Sequence, residues 1–395
     1  MMNLKKKNAV YYFIGFCIPL FIFVILLVPN VIVLYNSGEY ASEKKIFKNL
    51  INNKQCIFGT ATGRAKIEEI KLETYKSKKP DIIAFGSSIA TQFKDMYFEE
   101  SFYNMGGIVS NLTKAEELSE LINQIHTPKV VIFTIDFWWF HETSKGLGKK
   151  VATYKSKWIN DFKNTFLPFN WLWTGKINTK EYLSYLFKKN NCRFGMLAQK
   201  KLQGFIHDGS YFHGTRYFDK AKRNFTNDLN NLKISSSHYK HNEDINSNTL
   251  KRFDEMVNYW KSKGSKLIII SPPLAPVIFN EIQKNYKTKL NLLNVLINHL
   301  VQKNYSYYNL QNPEKLKLSN CEFLDGRHLT EISALKILNF LYENEDLENH
   351  VDIEKINLVL NNQNNHIISK KKLQQFFPEN KTSDLNDDCS KNSII

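Results

Sequence analysis

Apolar and polar positions follow different periods in different parts of the chain. From Ala9 to Val28 no position is charged, and apolar residues continue to Leu34. A helix needs about 20 such residues to cross a hydrocarbon core. The run therefore predicts a spanning helix, in which Pro19 and Pro29 are tolerable. It exceeds the apolar stretch of a cleaved signal peptide, and no clear small-x-small site follows it, so an anchor is expected. Lys5-Lys6-Lys7 ahead of it should stay in the cytoplasm. Residues 1–35 then form a basic end and a single-pass anchor, with everything after Tyr35 periplasmic or extracellular. Residues 36–80 are polar and mixed, and read as a stalk.

After residue 80 the pattern becomes regular. Asp81-Ile82-Ile83-Ala84-Phe85 is a short apolar run that ends in Gly86-Ser87-Ser88, which predicts a buried strand feeding a tight turn. Phe102-Tyr103-Asn104-Met105-Gly106-Gly107 predicts a second strand ending in glycines, and Val130 to Asp136 a third. Leu267 to Ile270 predicts a fourth, stopped by Ser271-Pro272-Pro273. Between the second and third, Thr113 and Glu116 have capping-box spacing, and Leu118, Leu121, Ile122 and Ile125 share a helical face. Residues 249–262 read as helix, and Thr330 is placed to cap a last helix carrying Ile332, Leu335, Leu338 and Leu341.

Continuous apolar strands alternating with amphipathic helices predict an α/β fold, a three-layer sandwich with a central parallel sheet behind one N-terminal transmembrane helix. The domain spans residues 81–345. It carries an aromatic-rich insertion at 141–248, with Trp158, Phe166, Phe169, Trp171 and Trp173, which reads as a lid or docking surface or as a small packed helical subdomain. Residues 346–395 read as a polar, loosely ordered tail. In sheets of this kind reactive groups gather at the carboxyl ends of the strands, where Ser88, Gly106, Asp136 and Ser271 would all lie.

Composition narrows the partners. The 395 residues are 43% hydrophobic, enough for one large core, and the net charge of +16 comes mostly from scattered lysines. Lysines interleaved with acids and asparagines suit a membrane surface or an acidic polymer, and no nucleic-acid partner is expected. Cys17, Cys56, Cys192, Cys321 and Cys389 include no close pair for zinc or redox chemistry, and no histidine pair has ligand spacing. Neither metal nor cofactor is therefore expected. Outside the cytoplasm two of the middle three cysteines could pair, but their spacing does not say which, and no essential disulfide is expected.

Serine ester chemistry needs a base beside the hydroxyl, a group orienting that base, and donors for the developing oxyanion. Ser88 lies on a strand-to-helix turn, where its own N–H could face a reacting carbonyl. Asp325-Gly326-Arg327-His328, just before the last helix, has the spacing that lets a carboxylate contact one imidazole nitrogen while the other faces the serine. Each motif alone also fits an ordinary turn; their joint order singles out Ser88, Asp325 and His328 as the catalytic candidates. His207-Asp208-Gly209, His213 and Arg216 are secondary candidates for substrate contact. Ser271 and Asp136 are expected to shape the site.

This order of motifs resembles the SGNH, or GDSL-like, hydrolase superfamily over about residues 80–345. Gly86-Ser87-Ser88-Ile89 is similar to its first block, with Ser87 where the common pattern has aspartate. Gly106 is similar to the second-block glycine whose N–H serves the oxyanion hole, and Asp325 and His328 match the final acid-x-x-histidine block. The third block departs: Thr134-Ile135-Asp136-Phe137 stands where many members have glycine-x-asparagine-aspartate, so that asparagine donor is missing, and either another donor such as Asn104 or Asn111 substitutes or the site is slow. The Gly-Ser-Ser block and the anchor look most like the acyl-transfer branch, which includes the D-alanine-transfer protein of lipoteichoic acid synthesis and the SGNH partners of membrane-bound O-acyltransferases. The resemblance implies a bacterial envelope setting, an anionic or polysaccharide acceptor, and a membrane-bound O-acyltransferase as partner. It leaves open an O-acyltransferase, an esterase, or a catalytically silent docking protein.

Overall fold

The computed structural model describes residues 2–361 apart from 63–64, 142–162, 189–191, 215, 217–224 and 240–243. In chain order its helices are α1 (Met2–Asn36), α2 (Glu43–Asn52), α3 (Ala65–Lys78), α4 (Leu112–Ile125), α5 (Leu167–Trp173), α6 (Thr179–Phe187), α7 (Met196–Lys201), α8 (Thr226–Lys233), α9 (Ser247–Ser262), α10 (Pro276–Asn285), α11 (Lys287–Gln302), α12 (Glu331–Glu343) and α13 (Ile353–Asn361). The strands are β1 (Ile57–Phe58), β2 (Ile82–Gly86), β3 (Phe102–Gly106), β4 (Val130–Thr134), β5 (Arg193–Phe194), β6 (Gly204–Phe205), β7 (Tyr211–Phe212), β8 (Lys266–Ser271) and β9 (Tyr307–Asn309).

The main sheet has five parallel strands in the order β3-β2-β4-β8-β9. Its pleat sends alternate residues to opposite faces. Ile82, Ala84, Val130, Ile132, Ile268 and Ile270 enter one core with Ile278 and Ile282 of α10 and Leu335, Leu338 and Leu341 of α12. Ile83, Phe85, Val131, Phe133, Leu267 and Ile269 enter the other with Leu118 and Ile122 of α4, Phe253 and Trp260 of α9, and Leu296 of α11. Burial on both faces is why these strands read as unbroken apolar runs. β9 was not expected: its Tyr-Tyr-Asn sequence is only partly buried at the sheet edge.

The chain leaves β2 for β3 on one side, then crosses to β4 on the other. The carboxyl end of β2 is thus the topological switch point, where open α/β sheets form their crevice. Ser88 follows it directly.

Several local expectations are corrected. Residues 36–80, read as a stalk, fold into α2, β1 and α3, and β1 joins a second, four-stranded sheet ordered β5-β1-β6-β7. Strands two residues long have no period to detect. The described part of the 141–248 insertion supplies the other three strands of that sheet, together with α5 to α8; Trp158 and the first part of the insertion lie outside the described residues. α4 is capped by Asn111, whose side chain accepts from Lys114 N at 2.9 Å, while Thr113 and Glu116 bind Arg252 of α9 instead. Leu121 turns outward from the α4 face. Thr330 occupies the N-cap of α12, but its hydroxyl donates to Glu322 O. Of the expected loose tail, residues 353–361 form α13 with Ile356 buried, and 362–395 lie outside the described residues.

Cys56 and Cys192 form a disulfide that joins the ends of β1 and β5, and Cys321 is disulfide-bonded as well. Cys17 is a free thiol.

Candidate active site

Gly86 ends β2 with φ +149°, and a Cβ there would stand 2.1 Å from Thr134 Oγ1, so only glycine fits. The chain then enters a short 3-10 turn, Ser88–Gln92, with Ser87 as its N-cap. The N–H of Ser88, the first residue of that turn, has no acceptor within the turn itself. Ser88 is exposed, while the residues before and after it are buried.

The opposing loop is closed by the Phe323↔Leu329 bridge and by Leu324 N donating to His328 O at 2.8 Å. Asp325 Oδ1 accepts from Arg327 N and His328 N, which folds the side chain back over its own loop. His328 Nδ1 then lies 2.9 Å and 2.7 Å from the two Asp325 oxygens, and Nε2 lies 2.8 Å from Ser88 Oγ. A carboxylate beside Nδ1 keeps the proton there, leaving Nε2 as the acceptor for the serine hydroxyl. The three catalytic candidates, 240 positions apart at the extremes, form one hydrogen-bonded chain.

Burial disfavours the charged form of Asp325, but the His328 ring, the His328 N–H and the Arg216 guanidinium outweigh it and hold the carboxyl well below the usual range. Arg216 donates to Asp325 Oδ2 at 2.6 Å. The loop is braced further by Asp228, which accepts from Gly326 N at 3.0 Å and from the Tyr239 hydroxyl. Sequence reasoning missed Asp228 and Tyr239; Arg216, a secondary candidate for substrate contact, braces Asp325 and also lines the cavity.

Other expected residues stand elsewhere. Gly106 N donates to Asn104 Oδ1 at 2.8 Å, and Asn104 Nδ2 donates to Ala90 O and Phe93 O, both at 2.8 Å. Asn104 is fully buried. Both groups therefore brace the turn that carries Ser88, and their donors are occupied within the protein. Gly107, next in sequence, lines the cavity, but its N–H donates to Ser87 O at 2.9 Å. Asn111 is the α4 cap. Ser271 is buried with its hydroxyl 2.9 Å from that of Tyr307, and it is not among the residues lining the cavity.

Asp136 is 2% exposed, and neither carboxylate oxygen has a partner in hydrogen-bonding geometry. Burial pushes its carboxyl up to about 7, against the pull of the Ser87 hydroxyl and the Arg327 guanidinium.

Ser88 and His328 open into a cavity of about 460 Å³. Its lining includes a polar, basic group, His213, Arg216 and Arg327, and an apolar group, Phe58, Ile67, Leu197 and Phe205, from the second sheet and its neighbours. Burial pulls the His213 ring well below its usual value, with Arg216 adding to the effect, so the ring is neutral. Two buried polar networks fix the apolar part of the lining. The Lys71 ammonium is buried and donates to Asn104 O, Gly106 O and Gly209 O at 2.8, 2.5 and 2.7 Å, tying β3 to the β6–β7 hairpin. Burial lowers its pKa and Asp208 opposes that shift. Glu39, just past α1, accepts from Thr60 Oγ1, Ala61 N, Thr62 Oγ1 and Met196 N at 2.6–2.9 Å, and Thr60 and Ala61 line the cavity.

Asp95, His207 and Asp208 come together, with possible ligand atoms within 4.8 Å of one another. Asp208 Oδ1 already accepts from Ser210 N and Oγ, and Asp95 Oδ2 lies 3.1 Å from His207 Nε2. The Lys78 ammonium is close enough to be drawn toward both acids. Asp208 thus holds the hairpin turn through Ser210.

Compared with known protein families, the sequence matches none, and none of the curated proteins matches it either.

Proposed function

We propose that this chain is an extracytoplasmic, membrane-anchored serine acyltransferase or esterase of the SGNH-like type, acting on O-acyl groups of an envelope polysaccharide or related polymer. The observation that carries the reading is the Ser88–His328–Asp325 hydrogen-bonded chain opening into a cavity. A parallel sheet between two helix-lined cores, with the serine at its switch point, is what an SGNH-like three-layer sandwich requires. The basic lining residues suit an anionic or polyhydroxyl acceptor and the apolar ones an acyl chain.

In this mechanism Ser88 Oγ attacks the acyl carbonyl as its proton passes to His328 Nε2. His328 returns that proton to the departing alcohol, leaving an acyl-serine. An acceptor hydroxyl, deprotonated by the same nitrogen, attacks the acyl-serine, and the proton returns to Ser88. With water as acceptor the product is a free acid. The Ser88 N–H is the oxyanion donor in this reading.

Two observations support an extracytoplasmic setting. Gly15–Asn36 is long and apolar enough to span a membrane. The Cys56–Cys192 disulfide is of a kind that persists in oxidising compartments. A second reading, a catalytically silent docking partner of a membrane O-acyltransferase, is favoured by the occupied Gly106 and Asn104 donors.

The test is labelling of the detergent-solubilised full chain with a fluorophosphonate probe. Labelling that disappears in Ser88→Ala and His328→Ala is expected. An unlabelled but folded wild-type chain would favour the silent reading.

A further inference from the structure

α5 and α6 form a short hairpin against the outer end of α1. Tyr182 is buried and its hydroxyl donates to Asn30 Oδ1 at 2.9 Å. Asn36 Nδ2 donates to Tyr185 O at 2.8 Å and Leu186 O at 3.2 Å. Val33 and Leu34 of α1 share one apolar cluster with Trp171, Ile177, Tyr182 and Met196. The hairpin is therefore seated on the last two turns of the apolar helix.

The hairpin also exposes large apolar side chains. Trp173 is 92% exposed, Phe187 84% and Leu183 50%. Leu183 and Phe187 are four residues apart on α6, so they share a face. A helix pair turned to water would carry polar side chains there, and isolated apolar residues need no explanation, but three large ones on one small hairpin do. Lys176, Lys180 and Lys188 are exposed around them. The neighbouring acid, Glu181, is paired with Lys200.

We infer that the α5–α6 hairpin lies in the outer membrane–water interface, with Trp173, Leu183 and Phe187 inserted among the lipids and the lysines on anionic headgroups. Continuity with the anchor selects this occupant. α1 is apolar up to the residues that hold the hairpin, so a bilayer crossed by Gly15–Asn36 ends at the level of α5 and α6. Tryptophan is favoured at that depth, where its ring is buried and its N–H stays wet. The hairpin thus gives the domain a second contact with the membrane, and the Glu39 network joins that contact to the cavity wall. The inference rests on α1 spanning the bilayer and not on chemistry at Ser88.

The full chain, in a Cys17→Ser background, would carry a nitroxide at Trp173→Cys, Phe187→Cys, Phe23→Cys or Lys263→Cys, reconstituted in phosphatidylcholine vesicles containing a quarter phosphatidylglycerol. Collisions with oxygen and with a water-soluble nickel chelate are then compared. Oxygen exceeding nickel severalfold at positions 23, 173 and 187, and the reverse at 263, is the expected result. Nickel dominating at 173 and 187 while 23 stays lipid-like would overturn the hairpin's insertion alone. Nickel dominating at 23 would remove the spanning helix and the inference with it. Exclusion of both reagents at 173 and 187 would mean a protein contact, which also overturns it.

Discussion

Arg216 and His328 meet on the same atom: the guanidinium donates to Asp325 Oδ2 at 2.6 Å, and His328 Nδ1 lies 2.7 Å from it. Arg216 thus holds the carboxylate in the rotamer that orients the imidazole, and helps to keep it ionised. Replacing Asp325 by Asn should leave the fold intact but favour the wrong imidazole tautomer, lowering the fluorophosphonate labelling rate by roughly three to four orders of magnitude.

Arg216→Ala should act through Asp325 and cost less. One charge-assisted hydrogen bond is worth ~1.5–3 kcal/mol, and the two backbone N–H bonds to Oδ1 remain. About tenfold slower labelling is expected. Arg216→Lys should recover part of the rate, because it keeps the charge but not the planar fork.

Asp136 should make stability depend on pH. Its carboxyl titrates near 7 in the folded protein and near ~4 in the unfolded chain. The unfolded chain therefore ionises first as pH rises, so native stability is lost between those values and the loss is constant above them. Asp136→Asn cannot ionise. Its advantage over the wild type in urea unfolding should be absent at pH 4 and grow toward pH 8, with ~4 kcal/mol as the upper bound. A pH-independent difference would contradict the burial argument.

Removing the Lys71 ammonium should loosen the junction between β3 and the β6–β7 hairpin. Lys71→Met keeps the alkyl stem but leaves three buried carbonyls without their donor. A loss of about 3 kcal/mol is expected, seen as a lower urea midpoint with an unchanged slope.

The Cys56–Cys192 bridge spans 136 positions. Cys56→Ser with Cys192→Ser should lower unfolding stability by ~2–5 kcal/mol. Non-reducing electrophoresis of the wild type should show faster migration than after reduction.

What the residues alone determined is local. β2, β4 and β8 were readable because a strand buried on both faces must be apolar at every position, and α1 because its long uncharged apolar run is what a helix of spanning length requires. Neither the strand-end Ser88 nor the Asp325–His328 spacing of three, which a single turn closes, stands out from an ordinary turn alone; their order along the chain marked them together. Tertiary structure decided everything that depended on a distant partner. Thr113-x-x-Glu116 has capping-box spacing, but both side chains bind Arg252 arriving from α9, and Asn111 caps α4 instead. The two-residue strands of the second sheet carry no period, so residues 36–80 looked like a stalk. A lysine gives no local sign that it will be buried, and Lys71 is, because three carbonyls from separate elements converge on it. Nothing in the spacing of five cysteines selects Cys56 with Cys192, and nothing local tells Arg216 that its partner is Asp325. Periodicity records how each segment meets its own layer, whereas the pairing of charges, thiols and donors is set by where the chain returns.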